Sequence, residues 1–447
     1  MLFGSTQGIQ RVSASGGIPQ PIVKGAGGSG VNALLPWFLP DSRSFLFRVG
    51  SGNNPGGSEI RLAQLDGGES TVIIKDASQA MYSQGHLLFT RNGTLMAQTF
   101  DLGRKQVVGE PAAIAEGLET GGGGNSTFSV STNGVLVYQE GLSSIRTRLA
   151  WFDRSGKASG TVASDANYGD LTLSHDARQA AVTIASSANR QNTSSGDVWL
   201  FDLVRNVPSR FTFEEKGVAT TAIWSADDKA IVFNSSRKGR LDLYRRTLNG
   251  KGVDEELLVD DADKIPVSWS PDGNFILYRQ ASRDGDIDLW VLPTTGAQKP
   301  FPFMNTRFGE DMGSFSPDGH WVAFRSNESG RAEIYVAPFP GPGKKVPISS
   351  GGADQAGDPH WRGDGREIFY VATDRKLMAV PVNSSGAEVE VGMPKPLFEI
   401  SSPLGRPLRH YYDVTADGER FLVNLSSQTG EPSPLTLVVN WTARLKH

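Results

Sequence analysis

Short apolar runs punctuate the chain at nearly even intervals, each opened by a small polar turn. "WVAF" follows "SPDGH", "FILY" follows "SPDGN", "AIVF" follows "SADDK" and "EIFYV" follows "GDGR". These runs are rich in β-branched and aromatic residues and apolar at successive positions, the pattern of a strand covered on both faces. About ten residues further on, a second strand pattern recurs: "EIYVAPF", "DIDLWVLP", "LDLYRRTL", "DVWLFDL" and "RKLMAVPV". A fourth short element, such as "KKVPIS" or "EELLV", ends the unit. No window longer than about ten residues holds a helical apolar stripe.

The turns form a series: Asp41, Asp176, Asp227, Asp272, Asp318, Asp364 and Asp417, with weaker copies around Gln84 and at Asn133. From Asp176 onward the separations are 51, 45, 46, 46 and 53 residues. In Ser-Pro-Asp-Gly, proline presets φ for the second position of a type I turn and serine suits the first. Glycine then takes the left-handed conformation that bends the chain into the next strand. A period near 46 residues with about four strands per unit predicts blades of a β-propeller. One blade cannot bury both its faces alone, whereas a ring of blades can; a β-sandwich array is the alternative.

The expected fold is therefore all-β, a propeller of about eight or nine four-stranded blades spanning residues 1–447, or else two smaller propellers divided near 150–170. The ends suggest ring closure. About three strands follow Asp417, and "GIQRVSASGGIPQPIV" supplies two strand-like pieces without a turn before them. Pairing the two ends would hide two sheet edges.

The turn, its apolar strand and the "IYV"-type strand resemble the WD40-like (PD40) repeat of TolB-type propellers. They are closer still to the propeller that follows the kinase domain in some bacterial serine/threonine kinases. The phrases that carry the resemblance include "WFLPDSRSFLF", "LAWFDRSGK", "FSPDGHWVAFRSNESGRAEIYVAPFPG", "REIFYVATDRKLMAVPV" and "YDVTADGERFLVN". The resemblance implies a receiving module of a kinase-linked or TolB-like envelope system, working outside the cytoplasm. Kinase signatures (an H-R-D loop, D-F-G, a V-A-I-K lysine) do not occur in the sequence. "MLFGSTQGIQRVSASGG" reads as the middle of a blade, with no basic n-region or long apolar core, so the expectation is a chain without its own export signal or membrane span.

Charge changes this picture little: 44 basic against 48 acidic residues, a net of −4, argue against a nucleic-acid partner. Glycine, 52 residues, and the Asp-Gly and Asn-Gly pairs fit many tight turns. The lack of cysteine excludes disulfides, thiolate metal sites and thiol catalysis.

"GAGGSG" at 25–30 fits G-x-G-x-x-G, but the two prolines of "VNALLPWFLP" forbid the helix a phosphate loop needs, so it reads as an inter-blade loop. "RDGDIDLW" places Asp284, Asp286 and Asp288 at alternate positions; Leu289 stands where an EF-hand requires glycine, so they read as solvated edge charges. The histidines His86, His175, His320, His360, His410 and His447 show no metal-ligand spacing, and no cofactor or metal is expected from sequence. The nucleophile elbow G-x-S-x-G is absent, which argues against a propeller-bearing serine peptidase. Trp224, Trp269, Trp321 and Trp361 beside the turns read as packing between blades.

What remains is the ring surface. Loops leading into each innermost strand crowd around a propeller's channel mouth, which makes Lys264, Glu310, Asp311, Asp354, Gln355, Arg409 and His410 candidate ligand contacts. The expected function is a non-catalytic binding or sensing scaffold for a protein, peptide or glycan partner. The alternative is an enzyme, a lyase or metal-dependent hydrolase, with a site assembled at the channel.

Overall fold

The computed structural model describes all residues except 6–7, 25–30, 52–57, 119–123, 140–146, 186–195, 215–216, 249–251, 282–286, 297–298, 342, 355–357, 385, 387, 401–409, 428–433 and 446–447. The described residues form antiparallel strands and end in a 3-10 helix at Trp441–Leu445. The strands gather into nine sheets, and each of the nine turn signals joins two neighbouring strands of one of them. "GAGGSG" lies outside the described residues. The segment after it, Val31–Phe38, is a strand.

The chain divides into two compact units, one of Met1–Ser144 with Gly430–His447, the other of Ile145–Asn189 with Thr193–Thr429. The first unit holds three sheets. In a seven-stranded sheet, Gln20–Lys24, Gly8–Arg11 and Leu2–Ser5 extend a four-stranded blade that starts at Val31–Phe38. The N-terminal pieces thus pair with each other and with Leu2–Ser5 rather than with the C-terminal strands. The last strand, Leu435–Val439, pairs with Val135–Gln139.

The second unit closes on itself. Its six inner strands are Tyr168–Leu173, Ala219–Trp224, Lys264–Trp269, Glu310–Phe315, His360–Trp361 and Tyr412–Val414. Five blades run outward in sequence order. In the sixth, Arg420–Ser426 pairs with Thr147–Asp153, so the end of the unit supplies two strands and its beginning the other two.

The core repeats the same cycle. Between each pair of successive blades lies one apolar cluster, for example Trp321, Ala323 and Val336 against Trp361, Ile368 and Val380. The clusters continue through Phe369, Val371 and Tyr411 with Phe421, and then through Leu422 and Leu149 with Tyr168, Leu171 and Val182. The last blade therefore packs on both the fifth and the first. Burying side chains of this kind is worth roughly 1.5–3 kcal/mol each, and every blade of the ring packs against a neighbour on both sides. It is a six-bladed propeller.

Candidate functional site

Buried polar residues lie at or near the starts of the inner strands, and several of them meet across blade junctions. Asp170 accepts from the Thr221 hydroxyl at 2.6 Å on one side and from the His410 backbone N–H at 3.4 Å on the other. The Asn234 side-chain amide donates to the Lys264 carbonyl, and the Arg325 guanidinium to the carbonyl of Asp354.

The residues expected at the channel mouth differ in their surroundings. Lys264 is fully buried, its ammonium 2.9 Å from Asp242 and 2.7 Å from Asp260, with a further bond to the Ala262 carbonyl. Glu310 is also buried. Burial pushes its carboxyl up, against the opposing bond from Thr306. Asp311 receives Arg325 in a bidentate pair at 2.7 Å and Arg279 at 3.4 Å. Lys264 and Asp311 thus join neighbouring blades, while Glu310 fixes the connection that leads into its own strand. Asp354 is half-buried. Gln355 and Arg409 lie outside the described residues.

His410 belongs to a buried polar cluster with Asp358, His360 and Asp413. Its Nδ1 lies 2.5 Å from Asp358 Oδ2, and His360 Nε2 lies 2.8 Å from the same oxygen, out of line for a hydrogen bond. On its other side His360 Nδ1 stands 3.1 Å from Asp413 Oδ1. Asp413 is itself oriented, since its carboxylate accepts the N–H of Leu173 at 2.7 Å and of Val414 at 2.7 Å. Tyr412 donates its hydroxyl to the Asp358 carbonyl and meets the His360 ring edge-on. Asp358 and His410 are 2% and 3% exposed.

The electrostatics follow from this packing. Burial works against charge on every member, yet the two imidazoles hold the Asp358 carboxyl down at about 2. Burial likewise opposes charge on His360, but Asp358 and Asp413 push it up to about 10; His410 is also raised, burial being outweighed chiefly by Asp358. Burial drives the Tyr412 phenol well above its usual range, so it stays a neutral donor. Asp358 Oδ1, His360 Nε2 and His410 Nε2 are buried without a hydrogen-bond partner. Asp358, His360 and His410 each offer one ligand atom, and these lie within 4.8 Å of one another. Two imidazoles and a carboxylate are a donor set that divalent first-row metals accept.

Sequence spacing could not show this cluster, because His360 and His410 sit on separate blades. One signal was present in the repeat alignment. Four residues before the turn aspartate, where other copies place Ser268, Ser314 and Thr172, stand His360 and Asp413. Asp288, read as a solvated edge charge, is 3% exposed within Ile287–Pro293, because that strand is the third of a covered blade. Asp284 and Asp286 lie outside the described residues.

Of the other histidines, His175 pairs with Asp228 at 2.9 Å, and His86 meets Trp441 edge-on. Three tryptophans bind the neighbouring repeat through the indole N–H: Trp224 to the Thr172 carbonyl, Trp361 to that of Ser314 and Trp321 to that of Ser384.

No protein-family model matches the chain. It is 26% identical over 157 residues to an uncharacterized protein of Agrobacterium fabrum, a match covering 33% of this chain and 53% of that one. It is 29% identical over 100 residues to a probable dipeptidyl-peptidase 5 of Aspergillus flavus, covering 21% of this chain and 13% of the peptidase. The chain thus spans about half of one relative and a small part of the other. Among solved structures it is similar to TolB from Acinetobacter baumannii, at 14% identity and a TM-score of 0.39, covering 80% of each chain.

Proposed function

We propose that this chain is a non-catalytic binding scaffold that takes a protein or peptide partner at the end of the six-bladed ring where the inner strands begin. One observation carries the reading: buried polar side chains at or near the starts of the inner strands bond across blade junctions, as Thr221 does to Asp170, Lys264 to Asp242, Arg279 to Asp311 and His410 to Asp358, which braces that end of the ring. A preorganised rim of this kind saves the ordering cost of association. The deeper charges, Lys264, Glu310 and Asp311, are engaged within the protein. We assign contact with the partner to Asp354, Gln355 and Arg409. The placement in a kinase-linked or TolB-like envelope system, implied by the repeat phrases, belongs to the same proposal.

The test is selection of displayed random peptides on the purified chain, followed by calorimetry with the enriched peptide. A specific peptide whose affinity falls at least tenfold with the double variant Asp354→Ala, Arg409→Ala supports the reading. Enrichment on a glycan array instead, with no peptide selected, replaces the partner class. Turnover of a peptide or polysaccharide that survives purification and is lost in the same variant overturns the non-catalytic reading.

A further inference from the structure

We propose that Asp358, His360 and His410 are the ligands of a divalent transition-metal ion of the zinc class, which staples the closing blade of the ring to the blade before it. The inference stands apart from the binding reading above, since a stapled ring can serve any partner.

The geometry carries it. Asp358 and His360 belong to the entry of the fifth blade, while His410 leads into the inner strand Tyr412–Val414 of the closing blade. Three polar atoms there, Asp358 Oδ1, His360 Nε2 and His410 Nε2, are buried without a hydrogen bond, with His360 Nε2 2.8 Å from Asp358 Oδ2. Buried polar atoms without partners are unfavourable, and the three residues each offer one ligand atom within 4.8 Å of the others, a spacing that a shared cation can bridge. Two nitrogens and one oxygen suit zinc, with cobalt and manganese as neighbours in coordination taste. Cysteine, the other common zinc ligand, does not occur in the chain.

The surroundings are those of a supported ligand set. His360 directs Nε2 into the cluster while Nδ1 faces Asp413, the carboxylate–histidine relation that fixes an imidazole's tautomer and raises its donor strength. Asp413 is held in turn by the N–H groups of Leu173 and Val414, so its orientation does not depend on the ion. Asp413 is thus a positioning residue, and it ties the first blade to the cluster. The ion would sit where the chain's beginning and end in this unit are joined.

The test uses the full chain, stripped with a chelator near neutral pH and then titrated with zinc chloride alone. Expected are about one zinc per chain by mass spectrometry after gel filtration, a rise in Tm that tracks occupancy, and a cobalt-substituted form with visible d–d absorption. Asp413→Asn should weaken zinc 10- to 100-fold while the ring still folds. His175→Gln, at the other histidine–aspartate pair, should leave stoichiometry unchanged. Wild-type protein that retains no zinc, manganese or cobalt and shows no Tm rise overturns the proposal. So does stoichiometric zinc that survives unchanged in His360→Gln. If His360→Gln does not fold, the cobalt spectrum of the wild type decides, because bands without imidazole ligation also overturn it.

Discussion

At the residue scale, the repeated turn works through a small hydrogen-bond circuit. In four copies serine donates to the aspartate two residues on: Ser174 to Asp176, Ser225 to Asp227, Ser270 to Asp272 and Ser316 to Asp318. The same hydroxyl accepts the N–H five residues on, from Gln179, Ala230, Phe275 and Trp321, and threonine plays this part at Thr415. The residue after the aspartate is left-handed throughout. It is glycine at 273, 319, 365 and 418, but Ala177 holds φ 53° in the first blade of the ring. A Cβ in that region is strained by about 1–2 kcal/mol, less the entropy that glycine loses on folding. Ala177→Gly should therefore stabilise the protein by about 0.5–1 kcal/mol, read as a higher denaturation midpoint at unchanged slope. This layer was legible in the sequence, because the turn's chemistry is local: Ser, Asp and Gly sit within four positions of one another. The metal-type cluster was not. His360 and His410 are 50 positions apart and become neighbours only once two blades are set side by side.

At the scale of elements, charge that looks exposed in sequence turns out to join strands. In the sequence Lys264 reads as a loop cation at the channel mouth. It opens the strand Lys264–Trp269, and its ammonium is enclosed by Asp242 from the preceding blade and by Asp260. Lys264→Met keeps the volume but leaves Asp242 buried without its cation, so it should cost about 3–5 kcal/mol in a chemical denaturation curve. The double change Lys264→Met, Asp242→Leu should recover much of that loss.

A second junction, Arg237 and Arg246 around Asp254, gives a pH dependence. Burial works to raise the Asp254 carboxyl, but the bonds from Arg246 and Arg237 outweigh it and hold the group below its usual value. A carboxyl depressed in the folded state contributes stability above its unfolded pKa of about 3.9 and loses it as pH falls through the folded value. The stability gap between wild type and Asp254→Asn should accordingly be full near neutral pH and shrink below about pH 4. A gap that widens on acidification contradicts this account.

At the scale of the whole molecule, the repeat predicts how many blades there are but not which strands close a ring. Closure depends on pairings between segments some 270 residues apart, Thr147–Asp153 with Arg420–Ser426, whose partners no local pattern specifies. That register places Leu149 and Leu422 in the same apolar cluster as Tyr168, so the seam is packed like any other blade junction. All six clusters of the ring draw their residues from between 149 and 423. A fragment of residues 145–429 therefore contains every strand and every core contact that its ring requires. It should fold alone, with a strand-type circular dichroism spectrum, a compact elution volume and one cooperative unfolding transition. The decisive comparison is a fragment of residues 157–429, which lacks Thr147–Asp153 and leaves the edge of Arg420–Ser426 open. Strand edges of that kind invite association with other chains, so the shorter fragment should aggregate or unfold at much lower denaturant. Equal stability of the two fragments would mean that the seam contributes little and that the ring is held by its other junctions.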